Sequence, residues 1–226
     1  MLSAVMEDYI KAIYVIQNET GERVSTSALA EYLDVTPPTV SSMVKKLEER
    51  GLVDREEYKG VTLTEDGELV ALEILRHHRL LESFLTEQLD YDWADVHEEA
   101  DRLEHHVSDE LARRIAEALG NPGVDPHGDP IPDADLRLPE GEETTRLAEM
   151  AVGDRVLVKR IRHQGDEELR YLADAGIRPG VELTVVDVAP FGMMTVETPA
   201  GEQSLPDEIT RLIEITSAEV EQDASA

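Results

Sequence analysis

Two adjacent prolines, Pro37 and Pro38, constrain the first third of this chain more than any other feature. Proline has no backbone N–H and a fixed φ, so inside a sequence that otherwise reads as helix it is tolerated in the first turn and nowhere deeper. A helical pattern with Leu29, Ala30 and Leu33 inward precedes the prolines, and Thr26 or Ser27 can cap it. Asp34-Val35-Thr36 is then a short turn, and a new helix starts at the prolines, runs to Arg50 and stops at Gly51. Leu52 to Glu56 and Val61 to Leu63 read as two short strands around Glu57-Tyr58-Lys59-Gly60. Upstream, Met6, Ile10, Ile13 and Tyr14 recur at helical spacing, which predicts a first helix near 4–18, ended by Gly21. Helix, short turn, helix and hairpin together make a winged helix-turn-helix pattern.

That pattern places a polar face opposite the buried stripe Val40, Met43, Val44 and Leu47. Thr39, Ser42 and Lys46 share the polar face, with Ser41 and Lys45 beside them. Small hydroxyls approach base edges and phosphates closely, and lysines meet the backbone. Thr36 and Pro38, at the helix start, can touch thymine methyls, and Arg55 and Lys59 sit on the wing. A solvated helix face with no DNA role is the plainer alternative. Turn length, proline placement and the trailing hairpin agree on double-stranded DNA.

The overall charge argues the other way. The 226 residues carry 21 basic and 50 acidic side chains, and phosphate repels such a balance. The acid is unevenly spread, however: residues 1–64 carry 7 basic and 11 acidic side chains, whereas 65–140 carry 6 and 21. The excess therefore reads as a halophile's acidic surface. No run approaches the roughly 20 apolar residues that cross a bilayer, and the N-terminus has no basic flank of a signal peptide. The chain has no cysteine, which excludes disulfides and thiolate zinc sites. These features fit a cytoplasmic protein with no membrane partner.

Thr64-Glu65-Asp66-Gly67 opens a long helical region, and a further helix is expected from about 93 to 119. Gly120 to Gly141 holds five Pro and four Gly, so it reads as a linker. Short strands follow at Asp154–Ile161, Val181–Val188, Met193–Glu197 and Ile209–Ile215, the texture of a small five-stranded barrel. The fold class is α+β and mainly helical. The expected domains are a DNA-binding domain at 1–64, a helical metal-binding and dimerisation domain at 65–140, an SH3-like domain at 141–216 and a disordered tail at 217–226.

His97, Asp101, Glu104 and His105 stand at i, i+4, i+7 and i+8 of the expected 93–119 helix, on one face. Carboxylates and imidazoles aimed together are costly to bury without a cation. His78 and Glu82 make a second i, i+4 pair upstream. Oxygen and nitrogen ligands without sulfur suit Mn²⁺ or Fe²⁺ and also admit zinc. The plainer reading is an acidic surface with incidental histidines, and Glu98, Glu99 and Arg102 look like that surface. An enzyme is not expected: there is no His-Glu-x-x-His, no Glu-x-x-His repeat, no nucleophile elbow and no phosphate loop.

The chain resembles the diphtheria-toxin-repressor family of metal-dependent regulators, with a C-terminal part similar to the SH3-like, FeoA-like module of its longer members. The residues that carry the likeness include Met6-Glu7-Asp8-Tyr9-Ile10-Lys11-Ala12-Ile13-Tyr14, Pro38-Thr39-Val40-Ser41, Leu63-Thr64-Glu65-Asp66-Gly67, His78-Arg79-Leu80-Leu81-Glu82, His97-Glu98-Glu99-Ala100, Glu104-His105, Gly128-Asp129-Pro130-Ile131-Pro132 and Ile177-Arg178-Pro179-Gly180. The resemblance implies a homodimer on a palindromic operator, activated by one to two ions per chain. It implies one metal site at Asp8, Asp101, Glu104 and His105, and a neighbouring one at His78, Glu82 and His97, completed by Glu168 from the Asp166-Glu167-Glu168 stretch. The family's iron-sensing branch has sulfur ligands where this chain has Asp8 and Asp101, which tilts the expectation to Mn²⁺ over Fe²⁺. Its manganese-sensing branch has a carboxylate where this chain has Lys11, a side chain that cannot ligate while charged. The expected function is metal-activated repression of metal-uptake genes. The rivals are a metal-independent winged-helix protein with an acidic halophilic surface and a metal-storage or hydrolytic protein.

Overall fold

The structure is a computed structural model that describes residues 2–56, 59–139, 141–162, 165–190 and 192–217, with Asp166 described by its backbone only. The chain divides into two compact units.

The first unit comprises residues 1–81, 101–121 and 131–139. Helix α1 spans Ala4–Thr20, capped by Ser3 and ended by Gly21 in the left-handed conformation. Helix α2 spans Thr26–Tyr32, and its cap is Ser25, one residue before the expected pair, because its hydroxyl accepts from the Ala28 N–H at 3.0 Å. Helix α3 spans Pro37–Glu48, with both prolines in the first turn. Strands β1 (Val53–Glu56) and β2 (Gly60–Leu63) pair antiparallel, with Val53 opposite Leu63, and form the wing; Glu57 and Tyr58 of the expected turn lie outside the described residues. Gly60 must be glycine: at φ +106° any Cβ would lie 2.5 Å from the Val24 carbonyl oxygen. Ile10 and Ile13 of α1, Leu29 of α2, Val40, Val44 and Leu47 of α3, and Val53 and Val61 of the wing are buried in one core. Ala71, Leu72 and Leu75 of helix α4 (Glu65–Leu89) join it, which fixes α1 and α3 to the same support.

The single helix expected over 93–119 does not form. Helix α5 spans Val96–Leu103, a 3-10 turn takes Glu104–His106, and helix α6 spans Asp109–Ala118. The start signal lies inside the segment: Val107 is extended, and Ser108 caps α6 by accepting from Leu111 N–H. Nor is 120–141 a featureless linker. Residues 122–130 fold back through a Val124–Pro130 bridge, and Asp125, His127, Asp129 and Ile131 are buried.

The second unit comprises 82–100, 122–130 and 140–226. Its described residues form a six-stranded antiparallel sheet from β3 (Thr145–Arg146), β4 (Arg155–Ile161), β5 (Glu182–Ala189), β6 (Met193–Thr198), β7 (Gly201–Pro206) and β8 (Ile213–Ser217), in spatial order β3-β8-β4-β5-β6-β7. Helix α7 (Asp166–Asp174) buries Leu169 and Leu172 against the sheet core, and neither it nor β7 was anticipated. The strand expected from Ile209 starts only at Ile213, because Asp207–Thr210 forms the short helix α8 after Pro206. Of the expected tail, Ser217 ends β8 and residues 218–226 lie outside the described residues.

Candidate metal centre

The first cluster lies within the first unit. Helix α1 presents Glu7, Asp8 and Lys11, α4 presents His78, the last turn of α5 presents Asp101, and the 3-10 turn presents Glu104 and His105. The break after Leu103 matters here, since a continued helix would have kept all four expected ligands in a single row. Instead Glu104 is buried, at 1 % side-chain exposure, while Asp101 stays 48 % exposed. His105 sits between carboxylates: Nδ1 is 2.7 Å from Glu7 Oε2, and Nε2 is 2.9 Å from Asp8 Oδ1 and 3.7 Å from Glu104 Oε1. Asp8, Glu104 and His105 each offer a ligand atom within 4.8 Å of the others. Two hard oxygens and one imidazole fit a divalent cation such as Mn²⁺ or Fe²⁺.

Beside these three groups lies an ammonium. Lys11 Nζ donates to Asp101 Oδ1 at 2.8 Å and to Glu104 Oε2 and Oε1 at 2.8 and 3.1 Å. His78 Nδ1 is 2.5 Å from Glu104 Oε2, so that nitrogen carries the proton and donates to the carboxylate. Burial alone would raise the Glu104 pKa, but the His78 hydrogen bond and Lys11 outweigh it and hold the carboxyl below its ordinary range. Burial likewise opposes the Lys11 charge, yet Glu104 and Asp101 prevail and raise its pKa. For Asp8 burial prevails over His105, and its pKa is raised.

The second cluster lies within the second unit. Glu82, Asp125 and His127 are all buried, and their ligand atoms also lie within 4.8 Å of one another. His127 Nε2 is 2.7 Å from the Trp93 carbonyl oxygen and donates to it, which leaves Nδ1 facing Glu82 Oε2 at 3.6 Å, beyond hydrogen-bond reach. A histidine that gives one N–H to a backbone carbonyl and points the other nitrogen at carboxylates has the orientation of a metal ligand. Burial opposes the charged imidazole, but Glu82, Asp125 and the Trp93 carbonyl outweigh it and push the pKa up to about 9. His97 Nδ1 approaches Glu82 Oε1 at 3.0 Å. Asp125 Oδ1 accepts from the N–H groups of His127 and Asp129 at 2.8 and 2.9 Å, which sets the loop. Gly128 makes the approach possible: at φ +87° a Cβ would lie 2.0 Å from the Lys159 carbonyl oxygen.

Of the expected second site, His78 bonds Glu104, and Glu82 and His97 meet at 3.0 Å. Glu168, on α7, folds its carboxylate over Gly165 and joins no three-residue cluster among the described residues. Glu7, Asp125 and His127 were missed. The available signal was a histidine and two aspartates packed into the Pro/Gly stretch Asp125-Pro126-His127-Gly128-Asp129. A further group, Glu73, His77 and Asp109, also falls within 4.8 Å in the first unit.

On the proposed DNA face, Thr36, Pro38, Thr39, Ser41, Ser42, Lys45 and Lys46 are all exposed, as are Arg55 and Lys59 on the wing. The Thr36 and Thr39 hydroxyls are 2.8 Å apart, and Ser41 Oγ donates to the Pro37 carbonyl. Lys59 pairs with Glu56 at 2.8 Å.

Three family profiles match the chain: "Iron dependent repressor, N-terminal DNA binding domain" over residues 1–61, "Iron dependent repressor, metal binding and dimerisation domain" over 64–133, and "FeoA domain" over 145–217. The iron-dependent repressor IdeR of Mycobacterium tuberculosis is 34 % identical over 222 residues, covering 92 % of this chain and 95 % of the relative. The diphtheria toxin repressor of Corynebacterium diphtheriae is 31 % identical over 218 residues, covering 92 % and 95 %. A solved manganese-dependent transcriptional repressor in complex with manganese is 41 % identical with a TM-score of 0.86, covering 94 % of this chain and all of that one.

Proposed function

This chain belongs to the diphtheria-toxin-repressor family of metal-dependent DNA-binding regulators, in the long form with a C-terminal FeoA domain, and on that premise we propose that Mn²⁺, with Fe²⁺ second, activates it to repress metal-uptake genes. Its partners are a second copy of the chain and a palindromic DNA operator, which the family's dimerisation and DNA-binding domains support. The first centre uses Asp8, Glu104 and His105, with Glu7 behind the imidazole. The second uses Glu82, Asp125 and His127, with His97 beside Glu82. Asp101 and His78, which the resemblance also gives as ligands, stand beside the first cluster, bonded to Lys11 and Glu104, and the Glu168 carboxylate lies against Gly165. Among the described residues no helix is long and apolar enough to cross a membrane.

One observation carries the reading: His105, on the 3-10 turn, reaches both Glu7 and Asp8 of α1, the helix packed in the same core as the reading helix α3. A bound cation supplies positive charge and a further link at that junction. His105 orients the Asp8 carboxylate, Glu7 fixes the imidazole, and the buried core transmits the position of α1 to α3. The spacing of two reading helices is geometric, so restricting α1 favours the DNA-competent population.

The test is duplex binding, with DNA selected from a random pool in Mn²⁺, titrated anaerobically in high salt with Mn²⁺ and Fe²⁺. Affinity should rise with metal and fall with chelator. Affinity indifferent to both, with no stoichiometric metal uptake by calorimetry, would instead establish the metal-independent winged-helix protein.

A further inference from the structure

Helix α4 carries a second imidazole, His77, one residue before His78. One step along a helix turns a side chain by about 100°, so His77 faces away from the groups that His78 meets. It stacks instead on Glu73, one turn earlier, and faces Asp109, the first residue of α6. Glu73, His77 and Asp109 each offer a ligand atom within 4.8 Å of the others, and all three belong to the first unit. His77 is 8 % exposed, whereas the two carboxylates reach it from the surface.

The charge at this cluster is left uncompensated. Burial raises the Glu73 pKa, and Asp109 and Glu7 raise it further, with no cation acting against them. Among the described residues neither Glu73 nor Asp109 pairs with a lysine or arginine, and His77 makes no hydrogen bond or ion pair with either carboxylate. The hydrogen-bonding neighbour of the imidazole is the Glu104 backbone carbonyl, which takes one N–H and leaves the other ring nitrogen for the carboxylate side. A nine-tenths-buried imidazole thus points at two carboxylates across a gap. Ligand atoms stand about 2.0–2.2 Å from a first-row divalent ion, so two of them across the ion are up to about 4.3 Å apart. A small inward turn of the exposed carboxylates closes that shell.

We propose that Glu73, His77 and Asp109 form a further divalent-cation site, separate from the centre at Asp8, Glu104 and His105, which ties α4 to the first turn of α6. Water completes the coordination on the open side. A cation there offsets the repulsion that Glu7 and Asp109 exert on Glu73. Through His77 it also steadies the backbone of Glu104, on the turn that carries His105. The site stands on its own residues, whether or not the first centre holds a metal.

The test counts bound Mn²⁺ per chain by equilibrium dialysis of the full-length protein in molar salt, which screens diffuse binding to the acidic surface. The wild type should hold one more Mn²⁺ per chain than Glu73→Gln and His77→Gln, and Glu99→Ala should match the wild type. If His77→Gln fails to fold, Glu73→Gln, altered at an exposed carboxylate, carries the same expectation. The one-ion difference should persist in a His105→Ala background, which removes the first centre. Equal uptake by the wild type and Glu73→Gln would overturn the site and leave the first centre standing. A difference that vanishes in the His105→Ala background would also overturn it, since Glu73 would then act on the first centre. Uptake that depends on Glu73 and His77 but not on His105 would support the site and overturn the first centre instead.

Discussion

The two clusters are built from the same residue types but balance their charge differently. The first gathers Glu7, Asp8, Asp101 and Glu104 around a lysine and two histidines, with Asp101 half open to solvent. The second seals Glu82 and Asp125 with a single buried histidine. Buried carboxylates require a positive partner. In the first cluster Lys11 supplies it, whereas in the second the partners are imidazoles: His97 at 3.0 Å from Glu82, and His127, whose pKa the neighbouring carboxylates push up to about 9. The lesson is that the first cluster is preassembled by side chains, whereas the second is assembled by a loop whose backbone is fixed by Asp125 and Gly128.

The largest expected effects break one cluster and spare the other. His105→Ala should weaken Mn²⁺ binding at the first cluster by more than the roughly 100-fold that loss of an outer-shell partner can cost, and abolish the metal response of DNA binding. His127→Ala should do the same at the second cluster and leave one ion bound at the first; calorimetry with the two variants checks both. Next, Gly128→Ala should destabilise the protein by on the order of 2 kcal/mol, since a Cβ at positive φ meets the Lys159 carbonyl. Denaturant unfolding reads that loss, and metal uptake at the first cluster should persist. Lys46→Ala should leave both metal counts unchanged while reducing the salt slope of DNA binding by about 1. Smallest of all, Glu99→Ala should change neither metal uptake nor the metal response.

Much of the first unit was legible because its signals are local. Pro37 and Pro38 start α3, Gly21 and Gly51 stop helices with positive φ, and the apolar periods of α1 and α3 name their buried faces. Boundaries failed where two local signals competed. Helical periodicity ran through 93–119, but Ser108 followed by Asp109 and Glu110 is a start signal, and it split the segment. In the second unit α7 was overlooked because its nine residues show only Leu169 and Leu172 as a buried pair, too short a period to register among strands. The 120–141 stretch reads as a linker by composition, since Pro and Gly report backbone geometry and say nothing of burial.

By itself, then, the sequence determined the winged helix-turn-helix, the exposed polar face of α3, the cation-seeking chemistry of the His and carboxylate residues, and the family likeness. Only the tertiary structure decided how those residues are shared out: His78 with Glu104, His97 with Glu82, Lys11 between Asp101 and Glu104, and Asp125 and His127 turned inward. The physical reason is range. Caps, turns and helix faces are set by neighbours within a few residues, whereas a ligand set is set by which distant carboxylates are buried together and which cation, a lysine or a metal ion, compensates them.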